Sequence, residues 1–203
     1  MKLARPGLIA LLLALAGCGA LIQPTIVEGL AKLRPGSYRI DPAHTVILFK
    51  VSHFGLSKFV GRFNDFDAEL DFDPAAPEST RLDAVVRTAS IDVNDPDLQA
   101  ELVGSDWLKA AQYPEARFVS TRVERISDDQ ALFHGELTLR GVTAPLTFRA
   151  TYNGAARSMV SGRYTAGFEA HAVILRSVFG IKALLPAIGD EVELEIHTEF
   201  QRN

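Results

Sequence analysis

Residues 38–72 read YRIDPAHTVILFKVSHFGLSKFVGRFNDFDAELDF, and from Thr45 onward apolar and polar side chains trade places at almost every second position. That period of two belongs to a strand with one face on a core and the other in water. Thr45, Ile47, Phe49, Val51 and His53 share one face. Further on, Phe66, Ala68, Leu70 and Phe72 share a face while Asp65, Asp67, Glu69 and Asp71 point away. Asp41-Pro42 marks a turn before the run, and Gly55 and Gly61 punctuate the connection. The stretch reads as a β-hairpin whose inner face carries too many aromatic rings for an isolated sheet. The rest of the chain must supply the other walls.

The same period returns downstream. Leu82–Ser90 reads as a strand, as do the runs around Ala116, Phe118 and Ser120 and around Phe133, Gly135, Leu137 and Leu139. Leu146, Phe148, Ala150 and Tyr152 form another, closed by Asn153-Gly154, a strong turn signal. Gly162–Ala170 follows, and last comes Val192, Leu194, Ile196, Thr198 and Phe200 set against Glu191, Glu193, Glu195, His197 and Glu199. Only residues 91–112 break the alternation. Asp95-Pro96-Asp97 signals a helix start with Asp97 as cap, and Leu98, Leu102, Trp107, Leu108 and Ala111 recur at helical spacing. The expected fold is therefore all-β, about eight antiparallel strands with one short helix. A closed barrel satisfies the pattern, and so does a two-sheet sandwich.

At 203 residues with 47% hydrophobic and 23% charged content, the chain is one globular domain with an N-terminal extension. Net charge is −4 and no basic patch carries interleaved aromatics, which argues against nucleic acid. Residues 1–17 read as a signal peptide: Lys2 and Arg5, an apolar Leu8–Leu15, then Leu-Ala-Gly-Cys at 15–18, the bacterial lipobox. The small residues let the backbone fit a signal peptidase, and the Cys18 thiol would carry the lipid. Cys18 is the only cysteine, so no disulfide competes for it. Acyl chains there would hold the protein to a membrane. Residues 18–37 read as a lipidated tether, either a spacer or a short helix along the bilayer, and 38–203 as the folded domain. Gly19 after the cysteine, by likeness to lipoproteins of two-membraned bacteria, favours the periplasmic face of the outer membrane.

Several motifs in order carry a resemblance: Tyr38–Phe49, His53-Phe-Gly-Leu-Ser57, Gly61-Arg-Phe63, Ser105-Asp-Trp-Leu108, Tyr113–Ser120, Gly135–Thr143 and Arg176–Ile181. Across roughly residues 38–200 the chain resembles the YceI family of bacterial exported proteins. The resemblance implies an extended, lipocalin-like barrel with a long apolar interior holding a polyisoprenoid chain, and a tendency to form homodimers. One position departs from the pattern. The family often has an acidic residue where Val178 stands, so no polar role carries over to that position.

The residues themselves point the same way. Phe49, Phe66, Phe72, Phe118, Phe133, Phe148, Phe168 and Phe200 fall on inner faces, beside small Ala68, Ala84, Gly135, Ala150, Gly162 and Ala166 that leave room. The expected wall of a lipid-tail site is Phe49, Val51, Phe66, Leu70, Phe118, Phe133, Leu137, Phe148, Phe168 and Phe179. His44, His53 and Arg176 are candidates for a polar head at the rim, although Arg176 fits equally a loop-pinning role on backbone carbonyls. A metal centre lacks a third convergent ligand beside His44 and Asp41 or His53. No GxSxG elbow or Gly-rich phosphate loop is present. The expected function is non-covalent binding, sequestration or transport of a polyprenyl phosphate or isoprenoid quinone, with no catalysis and no cofactor. The alternatives are a packed barrel acting as an envelope interaction protein, or an enzyme acting on the lipid head.

Overall fold

The computed structural model describes residues 24–203; the expected signal peptide and Cys18 lie outside the described residues. The strands are β1 (Gly36–Ile40), β2 (Val46–His53), β3 (Ser57–Phe63), β4 (Phe66–Phe72), β5 (Arg81–Arg87), β6 (Ile91–Asp92), β7 (Glu115–Arg125), β8 (Gln130–Leu139), β9 (Val142–Arg157), β10 (Tyr164–Leu175) and β11 (Ile188–Arg202), with helix α1 at Pro96–Leu102. Three pairs of these are single long strands with a kink. Pro42–His44 interrupts β1/β2, Asn64-Asp65 interrupts β3/β4, and Thr88–Ser90 interrupts β5/β6. Pro42 explains the first, since it has no N–H to give a ladder. The Asp41 carboxylate takes the Ala43 amide at 3.1 Å instead.

Counted this way there are eight strands, each antiparallel to the next in sequence. The ring closes where β11 meets the β1/β2 strand, with Tyr38 opposite Arg202 and Phe49 opposite Leu194. That closure settles the choice between sandwich and barrel. The expected alternation holds on nearly every strand, with Phe49, Leu70, Phe118, Leu137 and Phe200 turned inward and buried. The carboxylate rows turn outward and are cross-linked: Asp67 to Arg39, Glu193 to Lys58 and Glu195 to Lys50.

Helix α1 fills the one gap in the ring. Strand β6 pairs with β3, and β7 pairs with β5 only from Glu115 onward, so residues 93–114 span the opening. The cap is Asp95 rather than Asp97: Pro96 takes the first helical position and the Asp95 carboxylate accepts from the Asp97 and Leu98 amides. The helix also ends sooner than the spacing suggests, at Leu102, because Gly104 turns the chain back.

One end of the barrel, the mouth, carries the turns at 54–56, 140–141 and 176–187 together with α1. The other end is closed. Residues 24–35, expected as part of a free tether, pack across it. Val27 pairs with Ala155, the Leu30 amide donates to the Asp128 carbonyl, and Leu33 is only 1% exposed. The cause is apolar: Leu30 and Leu33 complete the core that Tyr38, Tyr152 and Tyr164 begin. Tyr38 and Tyr152 each donate their hydroxyl to a carbonyl of this plug, Arg34 and Val27 respectively. Burial pushes the Tyr38 hydroxyl up to about 12. The plug also explains two misread glycines. Gly154 sits inside β9 at φ 125°, not in a hairpin turn, because a Cβ there would strike Ile26. The hairpin turn lies at 158–163, and it contains Gly162, expected within a strand. Ring and plug are complete within residues 24–203. Leu33→Ala is expected to cost about 2–5 kcal/mol, read as a lower urea midpoint; an unchanged midpoint would show the plug to be loosely held.

Candidate functional site

The barrel encloses a cavity of about 450 Å³, within the range of small-molecule sites. Alternation builds it, since every strand sends its apolar face inward. Nine of the ten residues expected on the tail wall line it: Phe49, Val51, Phe66, Leu70, Phe118, Phe133, Leu137, Phe148 and Phe168. Phe179 does not. It is buried in the mouth turn Arg176–Phe179, outside the cavity lining.

The rings pack against the wall and each other rather than filling the centre. Phe148 stacks on Phe133 at 5.2 Å and meets Phe118 edge-on at 5.1 Å; Phe168 meets Phe200 edge-on at 6.0 Å. Room comes from Ala68, Ala84, Ala150, Ala170 and Ala172. Gly61 and Gly135 let the Phe49 and Phe118 rings lie flat across their strands, where any Cβ would collide with them. Gly61 is therefore a packing site within β3, not a chain break. Sequence reading left out Ala172, Ile174, Ile188 and the α1 side, Leu98, Trp107 and Leu108. Alternation through Ala172 and Ile174 could have found the first two. Nothing local assigns the α1 residues to the cavity.

Polar groups gather at the mouth. His53 ends β2 and Phe54 opens the turn after it, their rings 4.7 Å apart and edge-on, and both line the cavity. Phe54 and Leu184 line it and are also exposed, so the cavity reaches the surface there. The Trp107 indole N–H donates to Glu101 at 3.1 Å. Arg176, 3% exposed, lines the cavity and lies 5.3 Å from the Trp107 ring. Its Nε, Nη1 and Nη2 donate to the carbonyls of Gly189, Ile181 and Ile188 at 2.7, 3.1 and 2.8 Å. Burial lowers its pKa, and Asp190 opposes that. Asp190 itself is taken by the amide and hydroxyl of Ser177. Arg176 thus pins the β10–β11 turn, and it brings a positive charge to the cavity mouth.

His44, placed at the rim on sequence grounds, is elsewhere. It stands on the outer wall at the β1/β2 kink, its side chain 64% exposed, with Nδ1 2.9 Å from Asp41. The kink turns it away from the interior. The Asp41 carboxylate raises its pKa. Glu199 on β11 joins the pair, giving three ligand-type atoms within 4.8 Å of one another. That third group was missing from the sequence reading because only strand pairing brings it there.

The outer ion pairs make stability pH-dependent. Lys50 and His197 bonded to Glu195 push its carboxyl down to about 2, and Asn64 and Arg62 do the same for Asp92. A carboxyl whose pKa falls on folding stabilises above its unfolded value and loses that contribution as pH drops through the folded one. The urea midpoint is expected to fall between about pH 4.5 and pH 2. Glu195→Gln should flatten that slope. An unchanged slope would show the pair to be inert.

A closed eight-stranded antiparallel barrel with an apolar cavity open at one end defines a lipocalin-like fold. The chain belongs to the YceI-like domain family, whose profile matches residues 38–200. It is 35% identical over 182 residues to a UPF0312 protein of Pseudomonas savastanoi pv. phaseolicola, covering 89% of this chain and 94% of that one. The YceI protein of Campylobacter jejuni superposes with a TM-score of 0.66 at 29% identity, over 76% of this chain and 91% of that one. A polyisoprenoid binding domain from Saccharophagus degradans shares the fold with a TM-score of 0.62 at 12% identity, over 84% of this chain and all of that one (100%).

Proposed function

We propose that the barrel holds a long-chain isoprenoid lipid, its tail in the cavity and its head at the mouth beside Arg176 and His53. The single observation behind this reading is the cavity itself, about 450 Å³ of apolar space opening at the mouth. A barrel acting only as an envelope interaction protein would have no need of such an interior. The Saccharophagus domain of the same fold, described as polyisoprenoid-binding, points in the same direction.

The energetics favour a chain. Each buried methylene contributes about 0.8 kcal/mol, so a five-carbon prenyl unit contributes roughly 3 kcal/mol. A few units reach nanomolar binding after ordering costs. Arg176 has no carboxylate within ion-pairing distance among the described residues. It therefore suits a head that presents an oxygen, whether quinone carbonyl or phosphate. The protein does this by burial and orientation, without covalent chemistry, and serves as a carrier or store held to the membrane through Cys18.

Native mass spectrometry of the domain purified from its own host without detergent tests this. The expected result is a reproducible extra mass that extracts as a prenyl lipid. An apo mass that also takes up neither added quinone nor polyprenyl phosphate would overturn it.

A further inference from the structure

The turn between β9 and β10, at the closed end, presents Met159 and Val160 to solvent, and Val160 is 99% exposed. Neither belongs to the cavity. Arg34, Arg157, Arg163 and Arg202, all exposed, share with them one arc of the ring, which runs from the end of β9 through β10 and β11 to the start of β1, and a fifth exposed cation, Lys32, lies on the plug across this end. Tyr164 pairs with Arg157, Tyr38 with Arg202, and Arg34 lies 4.5 Å over the Tyr164 ring.

None of the five is within 4.0 Å of an Asp or Glu carboxylate among the described residues. Arg157, Arg163 and Arg202 donate to neutral acceptors, Gly162, Gln201 and Pro35, at 2.6, 2.8 and 3.0 Å. Those bonds orient the guanidiniums without neutralising them. On the barrel wall Arg39, Lys50, Lys58, Arg62, Arg87 and Arg117 each have a carboxylate partner, while Arg81 and Arg149 bond to neutral oxygens. Asp73, Glu78, Asp128 and Asp129 sit on the other arc of the closed end, while the exposed Glu28 stands on the plug next to Val27 and the chain's own terminal carboxylate lies at Asn203. The mouth mixes both signs, with Asp95, Asp97, Glu101 and Asp106 around α1 and Lys109, Arg140, Arg176 and Lys182 in the loops beside them.

We propose that this basic arc docks onto an anionic phospholipid surface. Met159 and Val160 enter the boundary between headgroups and acyl chains, and the five cations meet lipid phosphates. The direction of the chain agrees. Val27 is fastened to Ala155 at this end, and the nine residues from Cys18 to Val27 reach at most about 32 Å. A lipid anchor at Cys18, as proposed above, would pull from the end that carries the docking arc. Docking requires neither the anchor nor an occupied cavity.

The test uses residues 24–203, which contain ring and plug and no cysteine. Val160→Cys and Leu56→Cys variants each carry a polarity-sensitive dye, at the closed end and the mouth respectively. They are mixed with vesicles of phosphatidylethanolamine and phosphatidylglycerol, or of phosphatidylcholine alone. The dye at 160 is expected to shift to the blue on the anionic vesicles only, and the dye at 56 to stay in water. Each cation removed weakens partitioning about fivefold, so Arg157→Gln with Arg163→Gln should weaken it about 25-fold. Added salt should release the unmodified chain, which keeps the test independent of how the variants fold. Absence of anionic-vesicle binding, equal binding to phosphatidylcholine, or a shift at 56 instead of 160 would overturn the proposal.

Discussion

With phenylalanine in place of Ala84 and Ala170, the barrel is expected to bind prenyl lipid roughly 10⁴-fold more weakly while keeping its fold. Both alanines line the cavity, on β5 and β10. A ring at each position displaces at least one five-carbon unit, and two units represent roughly 6 kcal/mol of lost burial. Overfilling a packed core ordinarily costs about 1–3 kcal/mol, but here the rings enter space that is already open. Circular dichroism and thermal unfolding should therefore match the parent chain, while the co-purifying lipid mass disappears. A variant that folds and still carries its lipid would place the tail somewhere other than the cavity.

Arg176→Met is expected to lower stability as strongly as a large truncation in the core. The substitution leaves three carbonyls, those of Ile181, Ile188 and Gly189, without their donors in a buried turn. Each unsatisfied group costs about 1–3 kcal/mol, softened where water can enter. A total of about 4 kcal/mol lowers Tm by roughly 8–16 °C for a chain of this size. Arg176→Lys should recover only a part, because one ammonium cannot reach three acceptors that a planar fork reaches together. The same variants separate the two roles of this side chain. If Arg176 also holds a lipid head, the preference for a quinone over a hydrocarbon of equal length shrinks in Arg176→Lys. If it only pins the turn, that preference is unchanged.

The strands were legible in the sequence because each keeps one apolar face, and the two-residue period records that face directly; the period fits a sandwich as well, and the barrel came from the family resemblance. Phe118, Leu137 and Phe168 were placed inside on that basis alone. Local patterning was silent wherever a distant segment decided the outcome. Gly154 carries a hairpin signature, yet the plug at Ile26 and Val27 turns it into a close-approach point inside β9. Residues 24–35 have the composition of a spacer and become part of the core, since their apolar side chains find Tyr38 and Tyr152 only once the barrel exists. His44 shows the same limit at the site. Its neighbour His53 obeys the alternation and reaches the mouth, whereas the Pro42 kink diverts His44 to the outer wall. Charge at the closed end was invisible as well, because Arg34, Arg157, Arg163 and Arg202 are scattered along the chain and only the ring collects them.

The pairing of β11 with both β10 and the β1/β2 strand bears on the order in which the protein can form. The chain is made N-terminus first, and every earlier strand can pair with its predecessor as it emerges. The first and the tenth, however, wait for a partner that arrives last. Until then the sheet has two unpaired rows of N–H and C=O groups, the template on which strands of other chains add. Loss of even the fifteen residues of β11 (188–202) therefore does not shorten the barrel. It leaves an open, adhesive sheet, and the period of risk during biogenesis ends only when the last strand is in place.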